Sequence, residues 1–534
     1  MLRVLRSAAP ALCVGAFFAC FYLATAGSDL RGNGDTLLRF QTTQSIVDHF
    51  QLWVYNPDVS GPRVVTGVGG HPYEYYAPGQ TLFMVPFYIF GKFVAHHLSL
   101  PYGITTLYAA WTLDLWLGAL LAIAFFLMCR ALDLSLRTSI ILTLIFGIAT
   151  PAWPDALSGL EQTQVDLFLL LAVLFGWLFV KRGMRDRRWL ILSGLAAGLG
   201  FFTRYDFALF VPLLALYPAL LRWRTGERRQ IVGDWIAFGS GVVPFVLAIG
   251  WWDYARFGSP FDMGLKTPTF FEPPWISLPG LLVSPGKGIV WYMPEVFLLP
   301  WAARRFVRQW PSLTLLFAAI VVVTFGFYSL VLYWHGDPAW GPRYLYVALP
   351  YLILPLGTLL ESWSRDPRIL RLALVGLVAA SAVFQASDVS VNQWRFWYRL
   401  EVAEARTSAP FLWGPTEYHY YWDVGESPIL VQMDNVYQVG KLIFLGDQRY
   451  RLTAPPNGTR TSNPADFYPI NTFAFWWADS FHAIMGARTR AAIAVFLAIG
   501  AAIFLGLLLC LMTLMPSRRR IVSGSSEAVS GAAS

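Results

Sequence analysis

The stretch 104-ITTLYAAWTLDLWLGALLAIAFFLMC-129 decides the fold class of this chain. Asp114 is its only charged residue. A helix of roughly 20 apolar residues is long enough to cross the hydrocarbon core of a bilayer, and this stretch exceeds that length. It therefore predicts a membrane-spanning helix.

Similar apolar runs lie on both sides of it. Of the 534 residues, 56% are hydrophobic and only 13% are charged, whereas a soluble protein has about 25% charged residues. The formal charge of +8 does not point to nucleic acid, because the basic residues cluster in short loops between apolar runs. The predicted fold class is an all-α polytopic membrane protein with about twelve transmembrane helices. The predicted spans are 8–26, 104–129, 137–154, 163–180, 189–203, 206–221, 233–252, 289–303, 312–333, 343–360, 369–387 and 490–514.

The charge pattern of the loops predicts their sides of the membrane. Every second loop is short and rich in Arg or Lys, which marks the cytoplasmic side. The apolar piece 79–94 is read as a juxtamembrane helix, because a full crossing there would invert this pattern. The loops predicted inside are 129–138, 180–189, 221–230, 301–310, 364–371 and the tail 516–521. The loops predicted outside are 27–78, 155–162, 253–288, 334–342 and 388–489.

The loop pattern also predicts the organisation of the chain. A transmembrane module is expected to span residues 1–387, with 27–103 as its first outer loop. Residues 388–489 form either a loop with short interfacial helices or a small domain, and 490–515 form the last transmembrane helix. The Ser-, Gly- and Ala-rich end, 516–534, is expected to be a disordered cytoplasmic tail.

The N-terminus and the cysteines say less about function. The first apolar run is longer than the core of a typical signal peptide, so an uncleaved first helix is favoured over a cleaved leader. All four cysteines lie inside apolar runs, which indicates neither a disulfide framework nor a thiolate metal site.

Acidic residues gather in the predicted outer loops. Asp35 lies in 31-RGNGDTLLRF-40, His71 and Glu74 in 69-GGHPYEYYAPGQ-80, and Asp155 and Glu161 in 154-PDALSGLEQTQ-164. Each has an ordinary interpretation as a helix cap, a solvated acid or part of an aromatic belt. The alternative is a shared polar site at the outer ends of the helices.

Basic residues lie at the same level. Arg204 precedes Asp206 in a tight turn between two spans, and either pairs with it locally or binds phosphate. Lys287 stands between two glycines, either as a snorkelling lysine or as an anion ligand. His335, Asp337 and Arg343 share one short outer turn. A carboxylate can accept the proton of a hydroxyl, and nearby cations can stabilise a phosphate leaving group. The chain carries no nucleophile elbow, HExxH, CxxC or dinucleotide motif.

Taken in order, these segments resemble the GT-C superfamily of polyprenyl-phosphate-dependent integral membrane glycosyltransferases. They are most similar to the branch of the protein O-mannosyltransferases and the lipid A aminoarabinose transferase. The resemblance is carried by the motifs GDTLLRF, YYAPGQ, FTRYD, FGSPFD, SPGKG and WGPRYLYVALP within residues 1–387.

The resemblance implies a function and a location. The enzyme would transfer a hexose or pentose, with inversion, from a polyprenyl-phosphate donor to a hydroxyl acceptor, which is a glycan, a lipid or a protein. The reaction would take place on the periplasmic or extracellular face of a bacterial inner (plasma) membrane.

The resemblance also implies roles for residues of this chain. Asp35 would be the general base. Relatives often pair two acids in the first loop, but Thr36 follows Asp35 here, so a second acid would come from Asp58, Glu74 or another loop, and dependence on a divalent cation stays open. The donor phosphate would be bound by Arg204, Lys287 and Arg343. The acceptor or sugar site would be formed by Glu74, His71, Asp155, Glu161, His335 and Asp337.

Three other functions compete with this one. A flippase or transporter of lipid-linked sugars is suggested by the intramembrane acids Asp114 and Asp166. An enzyme similar to O-antigen ligase would use a diphosphate donor instead. A non-catalytic scaffold would bind its partners through the loop 388–489.

Overall fold

The computed structural model describes residues 2–27, 34–54, 64–265, 272–336, 339–399, 421–452, 470–478 and 500. Within them the chain is mainly helical, as the apolar runs predict. The predicted last span, 490–514, and the tail lie outside the described residues apart from residue 500. The helices up to the middle of the chain are α1 (Leu2–Thr25), α2 (Gly34–His49), α3 (Gly79–His97), α4 (Tyr102–Ala131), α5 (Leu136–Ile148), α6 (Ala152–Ser158), α7 (Gln162–Lys181), α8 (Arg188–Thr203), α9 (Phe210–Arg224) and α10 (Gln230–Phe257). The later helices are α11 (Pro274–Val283), α12 (Ile289–Tyr292), α13 (Leu299–Gln309), α14 (Pro311–Tyr328), α15 (Leu349–Ile353), α16 (Gly357–Glu361), α17 (Arg368–Ser390) and α18 (Pro428–Leu445).

Long apolar helices dominate the described part of the chain. In it, 7 helices are long and apolar enough to cross a membrane, and α5 with α6 forms a further pair bent by 54°. Shorter apolar helices include Ala9–Thr25 and Arg188–Thr203. The prediction of a polytopic helical membrane protein is confirmed. The 7 helices are Tyr102–Ala131, Gln162–Lys181, Tyr205–Arg224, Gln230–Phe257, Pro311–Tyr328, Arg343–Glu361 and Arg368–Ser390.

The predicted continuous helix 289–303 is wrong. The chain leaves helical geometry at Met293 (φ −145°, ψ 66°), directly before Pro294, and a short 3₁₀ turn then leads into α13. Pro294 lacks the N–H that a continuous helix would need there. After the break, α13 carries Arg305, which pairs with Asp366 of another predicted inner loop, with nitrogen and oxygen 2.5 Å apart.

Basic loops that were predicted to lie inside meet one another. Asp234 accepts from Arg187 and from Arg222, each at 2.9 Å. Arg305 and Asp366, which come from two further predicted inner loops, form the pair named above. Each contact thus brings two predicted inner loops together, which agrees with the charge pattern.

The first outer loop contains a feature that the sequence patterns did not predict. Strand β1 (Val64–Thr66) pairs antiparallel with β2 (Pro72–Glu74), and Val64 lies opposite Glu74. The ribbon ends just before α3. It thereby fixes Glu74 and the tyrosines that follow it beside α2.

Helices α8 and α10 approach closely through glycines. Gly194 and Gly198 form a GxxxG pattern on α8, and a Cβ atom built on Gly194 would lie 2.0 Å from the Phe238 carbonyl oxygen of α10. Small residues of this kind let the backbones of membrane helices pack directly. The contact holds α10 against the α7–α8 pair.

We expect Gly194→Leu to destabilise the folded protein by about 1–3 kcal/mol, because a side chain there overpacks this contact. The matched control is Gly239→Leu on α10, where an added Cβ meets nothing within 4 Å. Thermal unfolding of both variants in detergent measures the difference. Equal unfolding midpoints would contradict the close packing of α8 on α10.

Candidate active site

Asp35 lies in the first turn of α2, and Arg39 follows one turn later on the same side of the helix. The Tyr76 hydroxyl donates to Asp35 Oδ1 at 2.7 Å. The Arg39 guanidinium lies over the Tyr76 ring, 3.9 Å from its centroid. Tyr76 is thus held between the two charged residues and fixes the direction of the Asp35 carboxylate.

The start of α2 is held by one backbone carbonyl. Gly159 accepts from Thr36 Oγ1 at 2.5 Å and from Gln80 Nε2 at 2.9 Å. Gly159 has φ of 76°, and a Cβ atom there would lie 2.6 Å from the Trp111 ring. Only glycine fits this position without strain. The turn before α7 therefore positions both α2 and α3.

Glu161 bridges two arginines. Its Oε2 lies 2.8 Å from Arg39 Nη1, and its Oε1 lies 3.3 Å from Arg204 Nη1. Burial alone would raise the pKa of Glu161, but the charges of Arg39 and Arg204 outweigh burial and hold that pKa below its usual value. Glu161 is therefore an anion that neutralises buried cations.

Arg204 forms the local pair that was one of its two predicted interpretations. It donates to Asp206 through Nε at 3.1 Å and Nη2 at 2.7 Å. The Tyr328 hydroxyl donates to the same carboxylate at 2.5 Å. Tyr328 in turn stacks on Tyr344, with ring centroids 4.7 Å apart.

Arg343 closes the group. Its Nη1 lies 4.0 Å from Asp35 Oδ2, and its guanidinium lies 5.0 Å from the centroid of the Tyr344 ring. At 4.0 Å this ion pair is too long for a direct hydrogen bond. We call the set joined by these contacts the outer cluster: Asp35, Arg39, Tyr76, Glu161, Arg204, Asp206, Tyr328, Arg343 and Tyr344.

Lys287, between α11 and α12, and His335, in the loop before Arg343, lie beside the outer cluster. Lys287 Nζ donates to the carbonyls of Ala339 at 2.7 Å and Gly341 at 3.2 Å, so it supports the turn that carries Arg343. Burial, with the nearby charges of Lys287 and Arg343, lowers the pKa of His335 to about 3. His335 is therefore a neutral imidazole at physiological pH.

The remaining predicted site residues lie in different places. Asp155 is buried, accepts from Thr163 Oγ1 at 2.7 Å, and interacts electrostatically with Arg343 and Arg204. His71 stacks on Trp53, with ring centroids 4.1 Å apart. Asp337 lies outside the described residues, as does Asp58. Across the described ranges, no group of three or more His, Cys, Asp or Glu side chains is arranged to hold a metal ion.

Glu74 is buried beneath the first outer loop, where the Thr81 hydroxyl donates to its Oε1 at 2.8 Å. Burial raises its pKa to about 7, although Arg256 and Arg39 act in the opposite direction. An acid whose pKa is raised by folding stabilises the fold only while it is protonated. Stability is therefore lost as the pH rises from the ordinary value of 4.5 toward 7.

We expect Glu74→Gln to remove this pH dependence, because the amide keeps the shape of the side chain and cannot ionise. The variant should gain stability relative to the parent between pH 4.5 and 7, as measured by thermal unfolding in detergent. The control is Asp423→Asn, at an exposed position of the predicted outer loop 388–489, which we call the late outer loop. A constant difference between Glu74→Gln and the parent across this range would contradict the assignment.

Sequence reasoning missed several members of the outer cluster. The sequence spacing could have identified Arg39, because it stands four residues after Asp35 and a helix that starts at Gly34 places both side chains on one side. Tyr76 lies in 69-GGHPYEYYAPGQ-80, which is interpreted either as part of an aromatic belt or as the rim of a polar site, and neither interpretation gives Tyr76 a role of its own. Tyr328 and Tyr344 have no local signal, because their partners are distant in sequence.

Part of the chain matches a known family. Residues 152–252, which contain Asp155, Glu161 and Arg204, match the family model of the dolichyl-phosphate-mannose-protein mannosyltransferases. The resemblance to the GT-C superfamily is confirmed. The chain is also 30% identical, over 195 residues, to undecaprenyl phosphate-alpha-4-amino-4-deoxy-L-arabinose arabinosyl transferase 1 of Sodalis glossinidius (strain morsitans). That match covers 32% of this chain and 34% of the relative, so the chain aligns with about a third of its length.

Solved structures that are similar to this chain include ArnT from Cupriavidus metallidurans bound to undecaprenyl phosphate. It has a TM-score of 0.48 and 13% identity, and the match covers 94% of this chain and 76% of that one. The oligosaccharyltransferase of Archaeoglobus fulgidus in its apo form has a TM-score of 0.45 and 11% identity. That match covers 85% of this chain and 60% of the other.

Proposed function

We propose that this chain is an inverting glycosyltransferase that moves a sugar from a polyprenyl-phosphate donor to a hydroxyl acceptor. The observation that carries the proposal is the contact chain that links Asp35 with Arg343 and, through Tyr76, Arg39 and Glu161, with Arg204. A base and phosphate-binding cations must lie together for this reaction. The functions of the mannosyltransferase family and of the Sodalis arabinosyl transferase support the same reaction class.

In the proposed step, the acceptor hydroxyl loses its proton to Asp35. Its oxygen forms a bond to the anomeric carbon while the bond from that carbon to the phosphate oxygen breaks. The bonding electrons leave with the polyprenyl phosphate, whose growing negative charge is stabilised by arginine. A single displacement inverts the anomeric carbon. Glu161 neutralises Arg39 and Arg204 and holds them in place, rather than acting as a second nucleophile.

The cations have different parts in this proposal. Arg343 Nη1 lies 4.0 Å from Asp35 Oδ2, and Arg343 is therefore the first choice for the donor phosphate. Arg204 adds positive charge but is already bound to Asp206 and Glu161. Lys287 acts by supporting the Arg343 turn through the Ala339 and Gly341 carbonyls.

We place the reaction on the periplasmic or extracellular side of a bacterial inner membrane. The outer cluster includes Arg204 directly after α8, whereas the basic loop that carries Arg187 lies at the opposite end of that helix. Basic loops mark the cytoplasmic side. Glu74, Asp155 and His335 lie around the outer cluster and would shape the acceptor or sugar site, as would His71 and Asp337. A divalent cation and a second carboxylate beside Asp35 stay open.

The test uses the full chain in lipid nanodiscs with a labelled polyprenyl-phosphate sugar and candidate hydroxyl acceptors. We expect transfer of label together with release of polyprenyl monophosphate. Transfer only from a diphosphate donor would favour the enzyme similar to O-antigen ligase. Movement of the donor across proteoliposomes without transfer would favour the flippase.

A further inference from the structure

Helix α18 in the late outer loop has two distinct apolar faces. One face packs into the protein through Ile429, Val439 and Leu442, together with the buried amides of Gln432 and Asn435. On the opposite face, four large apolar residues share an arc of about 60°, given the 100° turn per residue of an α-helix. These residues, which we call the apolar stripe, are Leu430, Met433, Tyr437 and Phe444, with 48%, 37%, 55% and 41% exposure respectively.

The N-terminal half of α18 packs against the outer end of a membrane-spanning helix, α17. Gln432 Nε2 donates to the carbonyl of Val391, the residue directly after α17, at 2.5 Å. Ser427, which precedes α18, donates to the Pro285 carbonyl at 2.9 Å. This half of the helix therefore lies at the level where α17 leaves the bilayer.

The C-terminal half is held at the same level by a different span. Phe444 contacts Phe473, with ring centroids 6.1 Å apart. The segment that follows Phe473 is tied to the last turn of α1, because Trp476 Nε1 donates to Leu23 O at 2.9 Å and Trp477 Nε1 donates to Ala24 O at 2.8 Å. Helix α18 thus reaches from the outer end of α17 to the outer end of α1.

We propose that α18 lies in the interface of the outer leaflet, with its apolar stripe inserted among the lipids. Its height is fixed by two spans, and a stripe of this kind at that height faces the boundary between head groups and acyl chains. Lys441 borders the stripe, with Nζ 5.5 Å from the centroid of the Tyr437 ring. A lysine there can reach the lipid phosphates while its stem lies along apolar surface. Trp476, 40% exposed beside α1, has the amphipathic ring that favours the same interface.

The partner is therefore the bilayer itself, and its lipids contact the stripe directly. Burying the stripe in lipid removes apolar surface from water, which favours the inserted position. The rest of the late outer loop would then be held against the outer cluster's side of the membrane. The proposal does not depend on the proposed reaction.

The test places a nitroxide spin label at Tyr437→Cys in the full chain, with Cys13, Cys20, Cys129 and Cys510 replaced by alanine. The protein is studied in nanodiscs that contain anionic lipid. Leu372→Cys, on the exposed face of α17, gives the value for lipid, and Arg449→Cys, whose side chain is 83% exposed, gives the value for water. The measurement is the ratio of label collisions with oxygen to those with a water-soluble nickel chelate.

We expect the ratio at residue 437 to lie close to that at Leu372 and well above that at Arg449. A ratio equal to that at Arg449 would overturn the proposal, because the stripe would then face water. An immobilised label with little access to either reagent would also overturn it, and would indicate a protein partner or a second copy. Met433→Cys repeats the measurement if the first variant does not fold.

Discussion

Asp35→Asn is expected to lower the rate of sugar transfer by about 10²–10⁴-fold, the usual contribution of a positioned general base. The amide keeps the size of the side chain and can still accept from the Tyr76 hydroxyl, but it cannot take up a proton at neutral pH. The loss should therefore appear in kcat, with donor binding largely retained. Single-turnover transfer in nanodiscs, beside direct binding of the labelled donor, separates the two.

The matched control is Asp48→Asn, on the same helix. Asp48 accepts from Lys92 at 2.6 Å and from Tyr88 at 2.5 Å at the far end of α2, away from the outer cluster. It shares the helix and the change of charge but not the reacting position. Undiminished transfer by Asp35→Asn at normal expression would remove Asp35 from the mechanism.

The helices were predictable because their signal is local. The span predicted over 104–129 is observed as Tyr102–Ala131, and that over 163–180 as Gln162–Lys181. Length and apolarity decide such segments without reference to the rest of the fold. The prediction of a continuous helix over 289–303 was wrong because Pro294 interrupts that helix.

The outer cluster was only partly predictable, because its contacts join distant parts of the chain. The residue types and the side of the membrane indicated Asp35, Arg204 and Arg343, and the structure joins all three. The partners of these residues depend on how the first outer loop folds back over α2. Tyr76 meets Asp35 only because the β1–β2 ribbon returns the chain to that point. No local sequence pattern predicts that the first outer loop folds back in this way.

Lys287 shows a second limit of prediction from sequence. Its glycine-flanked position indicated an anion ligand, yet its ammonium group donates to two backbone carbonyls in the turn before Arg343. The sequence shows which charged residue is present and at which side of the membrane its loop is predicted to lie. It does not show whether neighbouring backbone groups already occupy that side chain.

Arg343→Gln is expected to raise the KM for the polyprenyl-phosphate donor by roughly 10- to 100-fold. A hydrogen bond to a charged group contributes about 1.5–3 kcal/mol, and each 1.4 kcal/mol is a factor of ten in affinity. A smaller fall in kcat should accompany it, because negative charge grows on the leaving phosphate in the transition state. Steady-state transfer, with competition by free polyprenyl phosphate, measures both effects.

Arg343 gives a cleaner test of phosphate binding than Arg204. Removing Arg204 would take the cationic partner from Asp206 and leave Glu161 with Arg39 alone, so lost folding stability would be confused with lost binding. The contact of Arg343 with Asp35 is long, at 4.0 Å, so the removal of Arg343 is expected to disturb Asp35 less. Arg305→Gln, which breaks the pair with Asp366 at the opposite end of the bundle, controls for the loss of a positive charge.

Arg343→Lys distinguishes charge from geometry. Lysine keeps the positive charge but lacks the planar fork that matches two phosphate oxygens, so we expect it to restore donor affinity only in part. If Arg343→Gln left the KM and the competition by polyprenyl phosphate unchanged, the phosphate would have to bind elsewhere in the cluster. Arg204 would then be the remaining arginine among the predicted ligands, and Asp206 would have to release it when the donor binds.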